Sequence, residues 1–246
     1  MHGVAYWVVK ALLTPIFRFL WRVRVEGAEH VPAHGPAIIA CNHLSFCDSL
    51  FLPLVIRRRL TFVAKAEYFE QRRTAWFFRS LGQIPIKRGG GSAAVRALDS
   101  AAEVIERGGL FGIYPEGTRT PDGTLHKGHT GVARLAQRTG AVVVPAGIVG
   151  THEVQPIGQM WLRPFMPVTV RFGPPLTFEQ YRERAHDPHV LRQMTDEIMF
   201  EIRGLTGQEY VHAYAKRGQP DGIPTPAASE VLTPAPAAAT DVAGAA

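Results

Sequence analysis

The stretch PAIIACNHLSFCDSLFLPLVI, residues 36–56, passes from one kind of local structure to another within a few residues. Pro36 to Cys41 is a short apolar run of the kind that forms a buried strand, and Phe46 to Ile56 has the length and apolar content of a helix. The turn between them is polar, and Ser45 stands where a helix N-cap is expected. Working outward, strand-like runs recur at Arg22 to Glu26, Leu60 to Lys65, Gln83 to Lys87, Leu110 to Tyr114, Ala141 to Val149 and Val168 to Phe172. Helix-like stretches lie at Tyr68 to Leu81, Ser92 to Arg107, Gly131 to Thr139 and Pro188 to Gly204. Apolar strands alternating with helices predict an α/β fold, a mostly parallel central sheet of about seven strands flanked by helices. In such sheets ligands collect beyond the carboxyl ends of the strands, which is where His43 stands.

The 246 residues suffice for one domain with a full core, and 46% hydrophobic with 20% charged residues is a globular balance. A net charge of +6 favours an anionic partner without choosing among nucleic acid, an acidic membrane and a phosphorylated substrate. Only Cys41 and Cys47 are present, so no disulfide framework is expected and a reducing compartment fits. From Lys216 to Ala246 the chain is rich in Pro, Ala and Gly, and this segment is expected to be a disordered tail after a folded part at 22–215.

The first segment, residues 1–21, lacks a basic leader and a small-residue cleavage site, which speaks against a signal peptide. Lys10, Pro15 and Arg18 interrupt its apolar run short of the roughly 20 residues that cross a bilayer. On a helix, Lys10, Thr14, Arg18 and Arg22 form one drifting polar stripe, with Trp7, Val8, Leu12, Ile16, Phe19 and Leu20 around the rest. That pattern fits an amphipathic helix in a membrane interface with its basic groups near lipid phosphates, and equally a helix docked on the protein's own core. The width and aromatic content of the apolar face favour the membrane.

Two clusters at strand ends carry chemistry. His43 and Asp48 stand at a spacing that a tight turn into a helix closes, so that the carboxylate holds one imidazole nitrogen and leaves the other as a general base. On spacing alone, a loop histidine beside a helix-start aspartate fits as well. Ser45 and Cys47 lie in no nucleophile elbow. YPEGTRT, residues 114–120, follows the strand LFGIY; Pro115 ends it, Gly117 permits a tight turn, and Arg119 suits a phosphate through its planar fork. Lys65 and Lys87–Arg88 also end strands, so a parallel sheet would bring four polar groups to one edge. The histidines form no metal-ligand pattern, so no metal is expected.

NHLSFCD, GQIPIKR, FGIYPEGTRT and VVVPAGI resemble, in order, the four blocks of the glycerolipid acyltransferases related to 1-acylglycerol-3-phosphate acyltransferase, over Val23 to Pro175. The resemblance implies that His43 is the general base and Asp48 its orienting partner. It assigns Lys65, Arg88, Glu116, Gly117, Thr118 and Arg119 to the acceptor's phosphate, and Pro145 matches the fourth block. Lys127 and Gly128 resemble the Lys-Gly that follows the third, while Leu44 and His126 depart from the common pattern. The implied reaction moves a fatty acyl group from acyl-CoA or acyl-carrier protein, a co-substrate rather than a cofactor, to the sn-2 hydroxyl of lysophosphatidate, with backbone amides near Gly117 as candidate oxyanion donors. The implied setting is the cytoplasmic face of the cell membrane, monotopic or peripheral. Another lysophospholipid, an ornithine lipid or a glycolipid as acceptor would leave the blocks unchanged, and a thioesterase would use the same pair on water. Nucleic-acid binding is disfavoured because the basic residues are scattered.

Overall fold

Ala37–Cys41 forms a strand, β2, whose alternate side chains feed two separate cores. Ala37, Ile39 and Cys41 enter one, and Ile38 and Ala40 enter the other. A strand covered on both faces needs an unbroken apolar run, which is what AIIAC supplies. Each fully buried isoleucine here stabilises by roughly 1.5–3 kcal/mol. The computed structural model describes residues 2–70, 72–80, 82–86, 92–120 and 122–216, so Lys87, Arg88 and the segment 217–246 lie outside the described residues.

The helices are α1 (His2–Trp21), α2 (Asp48–Val55), α3 (Arg72–Ser80), α4 (Ser92–Glu106), α5 (Gly131–Thr139), α6 (Thr151–Val154) and α7 (Pro188–Thr206). The remaining strands are β1 (Arg24–Glu26), β3 (Leu60–Thr61), β4 (Val63–Lys65), β5 (Ile84–Ile86), β6 (Leu110–Ile113), β7 (Leu125–His126), β8 (Val142–Val149), β9 (Thr169–Phe172) and β10 (Tyr210–Val211). The central sheet runs β1-β9-β8-β2-β6-β3, parallel except for the β8–β9 pair. Among the described residues it has six strands rather than the expected seven or so. The run LTFVAK breaks at Phe62, and its second half, β4, leaves the sheet to pair in parallel with β5. Pro145 lies inside β8, where its carbonyl accepts from Gly173 N–H at 2.8 Å. The N–H and C=O of one strand residue point to the same side, so the missing proline donor falls on the β9 side, just past that strand's last residue, and β2 loses nothing.

Residues of α2 and the C-terminal end of α1 build the first core, and residues of α4, α5 and α7 the second. Helix α1 is long and apolar enough to cross a membrane by length and composition. It nevertheless lies along the body. The Tyr6 ring is buried near one end and Trp21 near the other. Between them Lys10 Nζ donates to the Ile56 carbonyl, and Thr14 Oγ1 donates to the Leu54 carbonyl at 3.5 Å. The first half of the polar stripe therefore faces the end of α2, not lipid phosphates. The last carbonyls of a helix have no partner within it and attract a cation, and burial lowers the Lys10 amine to about 8. The exposed face of α1 carries Val4, Trp7, Val8, Leu12, Ile16 and Phe19, with Arg18 exposed beside them.

Candidate active site

β2 and β6 are parallel neighbours, so the turns that follow them meet at one edge of the sheet. In the first turn His43 Nδ1–H donates to Asp48 Oδ2 at 2.9 Å, and the same oxygen accepts the amides of Leu44 at 2.8 Å and Ser45 at 2.9 Å. Asp48 is wholly buried, so one carboxylate both shapes the turn and holds the ring. Hydrogen bonds to a charged group contribute about 1.5–3 kcal/mol each. An acceptor-only carboxylate at Nδ1 fixes the tautomer and leaves Nε2 to face a substrate. Helix α2 begins at Asp48 itself, and Ser45 is not its cap. The Ser45 hydroxyl instead donates to the Gln155 carbonyl at 2.7 Å.

Asn42 extends the β2–β8 pairing by one side chain: Nδ2 donates to the Ile148 carbonyl at 3.0 Å, and Oδ1 accepts the Ile148 amide at 2.8 Å. Its Nδ2 also reaches Gln208 Oε1, and Gln208 Nε2 donates to the Gly123 carbonyl, so the segment after α7 ties the two turns together.

In the second turn Gly117, at φ +71°, lets its amide fold back to the Tyr114 carbonyl at 3.0 Å. That amide is thereby taken, which removes it from the expected oxyanion donors. Thr120 N–H donates to the His43 carbonyl at 3.0 Å, placing the end of the loop against the first turn. The resemblance put Glu116 among the phosphate contacts. Its oxygens instead accept two backbone amides, His43 at 3.1 Å and His126 at 2.9 Å, and the side chain is buried. Glu116 is thus the brace between the base and the strand that follows the loop.

Burial pushes the Glu116 carboxyl up from 4.5 to about 7 against the pull of those two amides. Its value in the folded protein lies above the unfolded one, so its contribution to stability is full below about 4.5 and is lost as pH rises through about 7. The interval corresponds to roughly 3 kcal/mol at about 1.36 kcal/mol per pH unit. Glu116→Gln does not titrate and leaves one amide unpaired at every pH. The stability of the wild type relative to that variant should therefore fall by about this amount between pH 4.5 and 8, as read by urea unfolding; a constant difference would mean that the carboxyl ionises at no cost.

A ring stack that sequence reading missed backs the base. The Tyr114 ring lies 3.8 Å from the His43 ring with 8° between their planes, and Phe62 stacks on Tyr114 from farther along. Gly112 makes room, since a Cβ there would lie 2.2 Å from the Phe62 ring. Tyr114 Oη is paired with Ser49 Oγ at 2.9 Å, and burial raises its hydroxyl well above the usual range. The available signal was an aromatic residue between an apolar strand and Pro115, but nothing local shows which ring it meets.

Neither cysteine is a nucleophile candidate: both are buried, and burial pushes the Cys47 thiol up to about 12. Thr118 and Arg119 are half-buried in the loop, and Arg119 enters no ion pair among the described residues. Lys65 ends β4 in register with Ile86, on the small sheet, and Arg88 is outside the described residues. Lys127 Nζ lies over the Tyr214 ring, which stacks on His129, so the segment after α7 also covers the Lys-Gly pair. A cavity of about 360 Å³ lined by Val95, Leu98, Arg134 and Leu135 lies between α4 and α5 and contains none of the expected site residues.

The family model described as Acyltransferase matches residues 22–149. The chain is 31% identical over 139 residues to the chloroplast 1-acyl-sn-glycerol-3-phosphate acyltransferase of Arabidopsis thaliana, covering 56% of this chain and 39% of that one. It is 30% identical over 169 residues to the 1-acyl-sn-glycerol-3-phosphate acyltransferase of Limnanthes douglasii, covering 68% of this chain and 59% of that one. The match thus spans about half the length of these relatives. Among solved structures, the 1-acyl-sn-glycerophosphate acyltransferase PlsC of Thermotoga maritima is similar, with a TM-score of 0.65, 28% identity, and coverage of 83% of this chain and 79% of that one.

Proposed function

Because this chain belongs to the acyltransferase family, we propose that it transfers a fatty acyl group from a thioester, acyl-CoA or acyl-carrier protein, to the sn-2 hydroxyl of lysophosphatidate, giving phosphatidate. The observation that carries this reading is the 2.9 Å bond from His43 Nδ1 to Asp48, with Nε2 presented at the sheet edge beside the Glu116–Arg119 loop. His43 Nε2 removes the acceptor's hydroxyl proton as that oxygen attacks the thioester carbonyl carbon. The tetrahedral adduct collapses, the carbon–sulfur bond breaks, and the leaving thiolate takes the proton from the imidazolium. Asp48 stays ionised throughout and stabilises that imidazolium.

Arg119, with Lys65 and Arg88, binds the acceptor's phosphate, and Gly117 and Thr118 shape the loop that presents it. A charge-assisted contact of this kind contributes about 1.5–3 kcal/mol, so Arg119→Ala should raise the KM for lysophosphatidate by about 10–100-fold while kcat at saturation moves far less. Unchanged acceptor saturation would remove Arg119 from the phosphate site. The exposed apolar face of α1 seats the protein in the membrane interface, at the cytoplasmic side, where its free thiols stay reduced. The test is product analysis with purified protein, acyl-CoA and lysophosphatidate, beside acyl-carrier protein and other lysophospholipids. Phosphatidate as the preferred product supports the reading; preference for another acceptor, or free fatty acid without any acceptor, refutes it.

A further inference from the structure

The loop 156–166, between α6 and β9, carries Met160 at 77%, Trp161 at 80% and Phe165 at 57% exposure, with Ile157 also exposed. Single exposed apolar residues need no explanation, but four on one short loop form a patch. The patch is fastened to the end of α1. Trp21 Nε1–H donates to the Arg163 carbonyl at 2.7 Å, and the Phe165 amide donates to the Leu20 carbonyl at 2.6 Å. It therefore adjoins the C-terminal end of α1, where Phe19 is itself 75% exposed. Phe165 holds a φ of +64°, a region that bulky residues avoid, and its ring stays exposed all the same.

We propose that the loop 156–166 is a second lipid-contacting element, which enters the same bilayer interface as α1 and sets the depth at which the catalytic turn meets the membrane. The proposal rests on the membrane reading of α1 given above. The charge pattern selects the occupant: neither α1 nor the loop contains an acidic residue, and Arg18, Arg22 and Arg163 are exposed around the apolar surface. Basic groups flanking Trp, Met and Phe suit anionic headgroups over an acyl boundary. The link to the catalytic turn is direct. Gln155 is buried, its Nε2 donates to the carbonyls of Gln159 at 3.1 Å and Met160 at 3.3 Å, and its own carbonyl accepts from Ser45 Oγ. The Ser45 amide in turn donates to Asp48, the carboxylate that holds His43. The family match ends at residue 149, so this loop lies beyond the matched part of the chain.

The test places an environment-sensitive fluorophore on Trp161→Cys; the native thiols are buried, which directs labelling to the introduced one. The full-length protein is then mixed with phosphatidylcholine vesicles containing phosphatidylglycerol and sedimented. Co-sedimentation with emission shifted to the blue, at least about twofold brighter and quenched by brominated acyl chains, is the expected result. Co-sedimentation with unchanged emission overturns the loop's role and leaves the membrane reading of α1 standing. Failure to sediment with vesicles overturns both. Blue emission from a dimer before vesicles are added assigns the face to a second copy and overturns the proposal. Met160→Ser combined with Phe165→Ser should weaken vesicle binding by at least about tenfold without changing the circular dichroism spectrum, and unchanged binding counts against the loop.

Discussion

His43→Ala is expected to lower turnover of acyl-CoA and lysophosphatidate by about 10²–10⁴-fold, the range that a positioned base supplies. The loss should fall on kcat, because proton removal belongs to the transition state and the phosphate contacts are untouched. The fold should survive. His43 contributes a half-buried ring, while its amide and carbonyl keep their bonds to Glu116 and Thr120. Asp48 Oδ2 retains the amides of Leu44 and Ser45, so the turn remains closed around it. The Tyr114 ring loses its stacking partner, an interaction of about 0.5–1.5 kcal/mol. Single-turnover kinetics beside a thermal melt separates the two effects, and full activity in a folded variant would end the general-base assignment.

Asp48→Asn should cost at least about 100-fold in kcat, although it preserves size. If the new oxygen takes the place of Oδ2, it still accepts from His43, Leu44 and Ser45 but brings no charge to stabilise the imidazolium. The NH2 group then occupies the place of Oδ1, which has no partner among the described residues, and becomes a buried unpaired donor. If the amide flips, its NH2 confronts three donors. Both arrangements also destabilise the turn, by about 1–3 kcal/mol. Residues that act as one unit are not additive, so the double variant His43→Ala with Asp48→Asn should be little slower than His43→Ala alone. Multiplicative losses would show that Asp48 acts independently of the base.

Much of this was legible because burial periodicity is local. AIIAC, LFGI and VVVPAGIV read as buried strands from their own residues, and each lies where it was expected. The break at Phe62 was not legible: LTFVAK looks continuous, and nothing local shows that Phe62 stacks on the Tyr114 ring while the residues after it pair with β5. The Lys10–Thr14 stripe was misread for the same reason, since periodicity shows that a face is polar but not that the end of α2 lies beneath it.

By itself, then, the sequence determined the strand–turn–helix units and the chemistry placed at their turns: His43 and Asp48 lie five residues apart, and one turn brings them together. The tertiary structure alone decided what surrounds that pair. Glu116 braces His43 from 73 residues away, Gln155 reaches Ser45 across 110, and Gln208 reaches Asn42 across 166. Those partners depend on the strand order β1-β9-β8-β2-β6-β3, which no local window encodes. The physical reason is that a turn closes on a handful of residues, whereas distant contacts pay their loop-closure entropy only when the whole sheet and both of its cores form together.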